Sequence, residues 1–104
     1  MKVLWTSGAL RRLREIEAHI AQDSPQAARQ MAERLLRRAQ TLGEPPLLGK
    51  RLQRYVGDDV RELLERPYRL IYRIKPDVVE ILTLLHYRQL LPSDLAEFYR
   101  RRNT

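Results

Sequence analysis

Apolar and polar positions alternate with two different periods along this chain. Leu10, Leu13, Ile16 and Ile20 recur at helical spacing, with Arg11, Arg12, Arg14, Glu15 and Glu17 mostly between them. A second stripe of the same period comprises Ala28, Met31, Leu35, Ala39 and Leu42, leaving Arg29, Glu33, Arg34, Arg37 and Arg38 outside, and Gly43 is expected to end it. Between the two, Asp23-Ser24-Pro25 reads as a stop followed by a start: Ser24 can cap exposed amides, and Pro25 fits a first helical position where no amide bond is lost. The pair forms a helical hairpin. Ahead of it, Lys2-Val3-Leu4-Trp5 reads as a short strand, with Thr6 or Ser7 as the cap of the first helix.

After the loop Gly43-Glu44-Pro45-Pro46 the period falls to two. Lys50 to Val56, Val60 to Glu65, Tyr68 to Lys75 and Val78 to Tyr87 read as four strands, broken by Gly57-Asp58-Asp59, Arg66-Pro67 and Pro76-Asp77. The spacing predicts an antiparallel meander, then a short helix from Asp94 to Arg102 ending in Arg100-Arg101-Arg102. The fold class is therefore α+β: an N-terminal strand, an antiparallel helical hairpin packed on a twisted antiparallel sheet, and a short C-terminal helix. A chain of 104 residues is expected to form one domain, residues 1–104, around one modest core.

Alternation puts Tyr68, Leu70, Tyr72 and Ile74 on one face of their strand and Arg69, Ile71, Arg73 and Lys75 on the other. On the last strand it sets Leu82, Leu84, His86 and Arg88 opposite Ile81, Thr83, Leu85 and Tyr87, so His86 and Tyr87 share a face only if the strand bends. With the hairpin covering one face, a concave basic face is expected to be open to a partner.

Composition narrows that partner. The formal charge is +7, and nearly all the positive charge is arginine, since Lys2, Lys50 and Lys75 are the only lysines. Arginine suits bidentate contacts with carboxylates and phosphates, so nucleic acid or an acidic protein is expected. There are no cysteines, which excludes disulfides, thiolate zinc sites and a cysteine nucleophile. Two histidines and scattered carboxylates give no metal-ligand spacing, and no cofactor motif is present. No stretch approaches a membrane span and the N-terminus lacks the form of a signal peptide, so a cytoplasmic protein without membrane contact is expected.

Taken in order, several segments resemble the RelE/ParE superfamily of bacterial type II toxins. They are Val3-Leu4-Trp5-Thr6, Ser24-Pro25-Gln26-Ala27-Ala28, Pro46 and Gly49, Val60-Arg61-Glu62-Leu63, Tyr68 to Arg73, and Ile81-Leu82 through His86-Tyr87-Arg88. The resemblance implies the fold derived above and a toxin neutralised by a cognate, acidic, ParD-like antitoxin. It also implies one of two targets. ParE-like members poison DNA gyrase, and the long hairpin with its Pro-x-Ala-Ala start favours that reading. RelE-like members instead cut messenger RNA on the ribosome, commonly with a lysine cluster that this chain lacks. Were it such a nuclease, cleavage without metal would need a base, an acid and cations around one phosphate. Arg69, His86 and Tyr87 would be the catalytic candidates, with Arg61, Arg69, Arg73 and Arg88 as contacts for phosphate or for the antitoxin. Against these roles stand plainer ones: His86 as a hydrogen-bonded structural residue, Arg61 beside Glu62 and Arg69 with Glu80 as cross-strand ion pairs, the tyrosines as packing. A nucleic-acid-binding module without toxicity is the alternative from another class.

Overall fold

The computed structural model describes residues 1–99. In chain order they form β1 (Lys2–Trp5), α1 (Ser7–Ala21), α2 (Pro25–Gln40), β2 (Lys50–Arg51), β3 (Asp59–Glu65), β4 (Tyr68–Ile74) and β5 (Val78–His86). Single 3-10 turns lie at Thr41–Gly43 and Pro46–Leu48, and a longer one at Leu95–Tyr99 closes the described chain. The five strands make one sheet in the order β1-β5-β4-β3-β2. β2 to β5 form the expected antiparallel meander, but β1 pairs with β5 in parallel, making the sheet mixed.

Both helices start where their caps dictate. The Thr6 hydroxyl accepts from the Ala9 amide and donates to the Leu82 carbonyl at 3.2 Å, tying the start of α1 to β5. Ser24 accepts from the Ala27 amide, with Pro25 at the first turn. α1 buries Ala9, Leu13 and Ile16 while Leu10 faces outward, so the stripe is rotated by one residue at its start. α2 buries Ala28, Ala32, Leu35 and Ala39, with Met31 packed at the margin, and it ends at Gln40, three residues before Gly43.

The hairpin covers the face made by Tyr68, Leu70 and Tyr72 of β4, Leu63 of β3, and Val79, Ile81 and Leu84 of β5, with Val3 and Trp5 of β1 packed alongside. This is the expected core face. The opposite face is where expectation fails, because it carries a second apolar cluster of Val60, Ile71, Leu82 and Leu85 roofed by Tyr55 and Phe98, with Leu52, Leu91 and Leu95 at its border. Two segments supply the roof. The residues following Arg51 leave the sheet and curl beneath it, which is why β2 has two residues rather than seven. Leu91 to Phe98 crosses from the other side, its carbonyls held by the Tyr55 hydroxyl (2.7 Å to Pro92) and Arg54 (3.0 Å to Leu91). Among the described residues no open concave basic face remains. The C-terminal helix read from the sequence is this 3-10 segment, and Arg100-Arg101-Arg102 lie outside the described residues.

A bulge in β5 explains the divided strand. The register steps from Ile71 opposite Thr83 to Tyr72 opposite Ile81, leaving Leu82 without a partner in β4. The extra residue lets Leu82, Thr83 and Leu85 face the second cluster while Val79, Ile81 and Leu84 all face the hairpin, which strict alternation does not allow.

Candidate functional site

The six residues singled out from the sequence do not converge on one point: Arg61, Arg69 and Arg73 lie apart on the strands, while His86, Tyr87 and Arg88 gather at the end of β5. Arg61 pairs with Tyr72 in the register, on the hairpin face, whereas Arg69 and Arg73 leave β4 on the opposite side. His86 pairs with Tyr68 and so belongs to the hairpin face. Neither His86 nor Tyr87 joins Arg69 and Arg73, because Tyr87 lies in the turn beyond β5, its backbone N–H bonded to the Pro67 carbonyl at 2.9 Å.

Each strand arginine has a carboxylate. Arg61 donates through Nε to Asp59 at 2.9 Å and through its terminal nitrogen to the Gly49 carbonyl at 3.0 Å. Beside it the Tyr72 hydroxyl donates to the Pro46 carbonyl (2.7 Å) and accepts from the Gly49 amide (2.8 Å), so both side chains fasten the loop before β2. Burial pushes the Tyr72 hydroxyl above its ordinary pKa. Arg69 donates to Glu62 at 3.0 Å and to the Gln89 carbonyl. The ion-pair reading thus holds for Arg69, but with a different acid: Glu80 stands opposite Arg73, and Glu62 lies diagonally across from Arg69, two residues before its register partner Leu64. Arg73 donates to Asp58 at 2.6 Å and to the Tyr99 hydroxyl at 3.3 Å, which itself donates to Glu80 at 2.6 Å. Burial, then the bond to Glu80, raises the pKa of Tyr99.

At the far end of β5 the chemistry differs. The His86 ring meets Tyr68 edge-on at 6.0 Å and lies 4.7 Å from Tyr87, tilted by 35°. The Arg88 guanidinium sits 5.2 Å above the Tyr87 ring. This turn is tied down by residues not singled out from the sequence. The Gln89 side chain accepts from the His86 amide at 2.7 Å and from Arg12 at 3.0 Å, while Arg12 Nε also donates to the Leu84 carbonyl at 3.0 Å. Nothing in the sequence marks Gln89 or Arg12 for this task, since the contact joins residues 77 apart. A groove of about 360 Å³ between α1 and the C-terminal segment is lined by Arg11, Arg12, Glu15, Thr83, Gln89 and Glu97, a balance of charges that favours no anion.

The arrangement does not surround one phosphate with a base, an acid and cations. Arg69 is turned to Glu62 on one side of the sheet, and His86 meets Tyr68 edge-on on the other. Known relatives bear on what the fold is for. The family model described as "ParE toxin of type II toxin-antitoxin system, parDE" matches residues 3–91. Y4kP of Sinorhizobium fredii (strain NBRC 101917 / NGR234), named as a toxin, is 40% identical over 94 residues, covering 90% of this chain and 96% of that protein. Toxin RelE2 of Caulobacter vibrioides is 37% identical over 90 residues, covering 86% of this chain and 98% of that one. A solved structure described as the chromosomal ParDE TA system from P. aeruginosa aligns with a TM-score of 0.71 and 26% identity, over 83% of this chain and 95% of the other. The fold and these relatives define a small toxin of the ParE/RelE superfamily. The chain belongs to the ParE toxin family of type II toxin–antitoxin systems, whose members act with an antitoxin partner.

Proposed function

We propose that this toxin arrests growth in the cytoplasm by inhibiting DNA gyrase and that an acidic, ParD-like antitoxin neutralises it. The observation that carries the choice of target is the separation of Arg69 from His86: the first is committed to Glu62 and the Gln89 carbonyl, the second to an edge-on contact with Tyr68 on the opposite face. With Arg61, Arg69 and Arg73 engaged by Asp59, Glu62 and Asp58, the strand arginines are poorly arranged for metal-free RNA cleavage, which needs them free around a phosphorane. Blocking a large enzyme asks only for surface complementarity. The match to the ParE model and to a ParDE structure favours the same target. The relative named RelE2 supplies the competing reading, a nuclease working on messenger RNA at the ribosome.

Purified protein added separately to a gyrase supercoiling reaction and to translating ribosomes decides between them. Inhibited supercoiling with intact messenger RNA is the expected result; cut RNA with unaffected gyrase would replace this reading with the ribosomal one. For the antitoxin, co-expression with the neighbouring open reading frame is expected to yield a stable complex, and a neighbour that is not acidic or does not co-purify removes that part of the proposal.

A further inference from the structure

The groove between α1 and the C-terminal segment is locally neutral in a chain whose net charge is +7. Arg11, Arg12 and Glu15 belong to its α1 wall, and Glu97 to the wall opposite. Arg12 is occupied by the Leu84 carbonyl and the Gln89 side chain. Among the described residues, Arg11 and Glu97 have no partner of opposite charge within ion-pair distance. Leu82 and Leu85 of β5 and Phe98, all buried, make the remaining lining apolar. Leu90, which also lines the groove, keeps 91% of its surface in water, so an apolar knob stands beside an apolar floor.

These features select one occupant. An acidic partner is drawn to the positive parts of the surface and gains little from walls that carry Glu15 and Glu97. A second copy of the chain is repelled wherever its net positive charge is felt, and least where the charges balance. The groove also complements itself. A two-fold axis running along it sets the α1 wall of each copy against the C-terminal wall of the other, which brings Arg11 toward Glu97 of the second copy, twice over, as an isologous interface does.

We propose that the toxin self-associates through this groove as a two-fold dimer, in which Arg11 pairs with Glu97 of the second copy and Leu90 is the apolar anchor. Association supplies partners for two charges that have none within the described chain and takes an exposed leucine out of water. Because Gln89 lines the groove, each copy also covers the turn after β5 of the other, and a partner that needs that turn competes with the dimer. The groove is small against a standard interface, so the dimer is weak, with a dissociation constant on the order of 10 to 100 μM. Such a dimer is independent of the target, gyrase or ribosome.

Sedimentation equilibrium of the purified full chain between about 5 and 500 μM tests it. Wild type should pass from monomer to dimer across that range, and Leu90→Ser should weaken association about tenfold. Arg11→Glu separates the pair from a general charge effect. It lowers the net charge, so relief of repulsion alone would strengthen association, whereas loss of the pair with Glu97 should weaken it about fivefold. Adding Glu97→Arg returns the net charge to +7 and re-forms the pair with its signs reversed. The double variant should associate to within about twofold of wild type. Circular dichroism and thermal melting of each variant check that the fold is kept. A folded wild-type chain that stays monomeric throughout, Leu90→Ser associating like wild type, or no recovery in the double variant overturns the proposal. So does Leu90→Ser losing antitoxin co-purification while still forming dimers, which would make the rim of the groove an antitoxin contact.

Discussion

Arg69 on β4 donates to Glu62 on β3 at 3.0 Å, and the two side chains retain only 13% and 18% of their surface in solvent. At such burial, removing one partner strands the other charge in a weakly hydrated site. Arg69→Ala is expected to lower stability by about 2 to 3 kcal/mol, somewhat less than for a fully enclosed pair. The double replacement Arg69→Met with Glu62→Leu should recover most of that loss, because it removes both charges at once. Urea unfolding of the three variants measures this; an Arg69→Ala midpoint equal to wild type would contradict the structural role given to the pair.

The loop before β2 depends on one hydroxyl. Tyr72→Phe leaves the Gly49 amide and the Pro46 carbonyl without their partner, and should cost about 1 to 3 kcal/mol. Gly49→Ala should be at least as harmful, since a Cβ there falls 2.6 Å from both the Glu62 carbonyl oxygen and the Tyr72 hydroxyl. The carbonyl belongs to the sheet and cannot withdraw. Combining the two changes should therefore not rescue Gly49→Ala, and a double variant as stable as Tyr72→Phe alone would show that the backbone contact is harmless.

Alkaline pH should loosen the fold. Burial raises the pKa of Tyr55, Tyr72 and Tyr99 above the ordinary 10.0. Above that value the unfolded chain gives up its tyrosine protons while the folded chain still holds them, so the unfolded state binds fewer protons and stability falls as pH rises. The contribution is complete below pH 10.0 and is lost through the raised folded values. Denaturant midpoints measured against pH should decline in that window, and less steeply in Tyr72→Phe; equal slopes for the two chains would assign the decline to other groups.

His86 serves as a separate test of the target. Its ring contributes an edge contact to Tyr68 and a stacked one to Tyr87, so His86→Ala should cost about 0.5 to 1.5 kcal/mol in folding. Growth arrest and inhibition of supercoiling should both survive, because the imidazole is not part of a phosphate site. If the folded variant loses toxicity while still binding antitoxin, His86 does chemistry and the ribosomal reading gains the advantage.

The sequence by itself determined what depends on neighbours along the chain. Ser24-Pro25 sets the start of α2 because a cap acts within three residues, and Tyr68, Leu70 and Tyr72 fall on one face because the strand period is two. Alternation also separated Arg69 and Arg73 from that face. It states which side of the backbone a side chain leaves from, and nothing about what waits there. Only the tertiary structure decided that Tyr55 and Phe98 roof the second face, that Glu62 rather than Glu80 takes Arg69, and that the extra residue Leu82 divides β5 between two cores. It also decided the role of Gln89, which joins α1 to the end of β5. These are matters of register and cover between segments tens of residues apart. Local periodicity fixes the direction of a side chain, whereas its partner follows from how the sheet pairs and which distant segment is left to close over it.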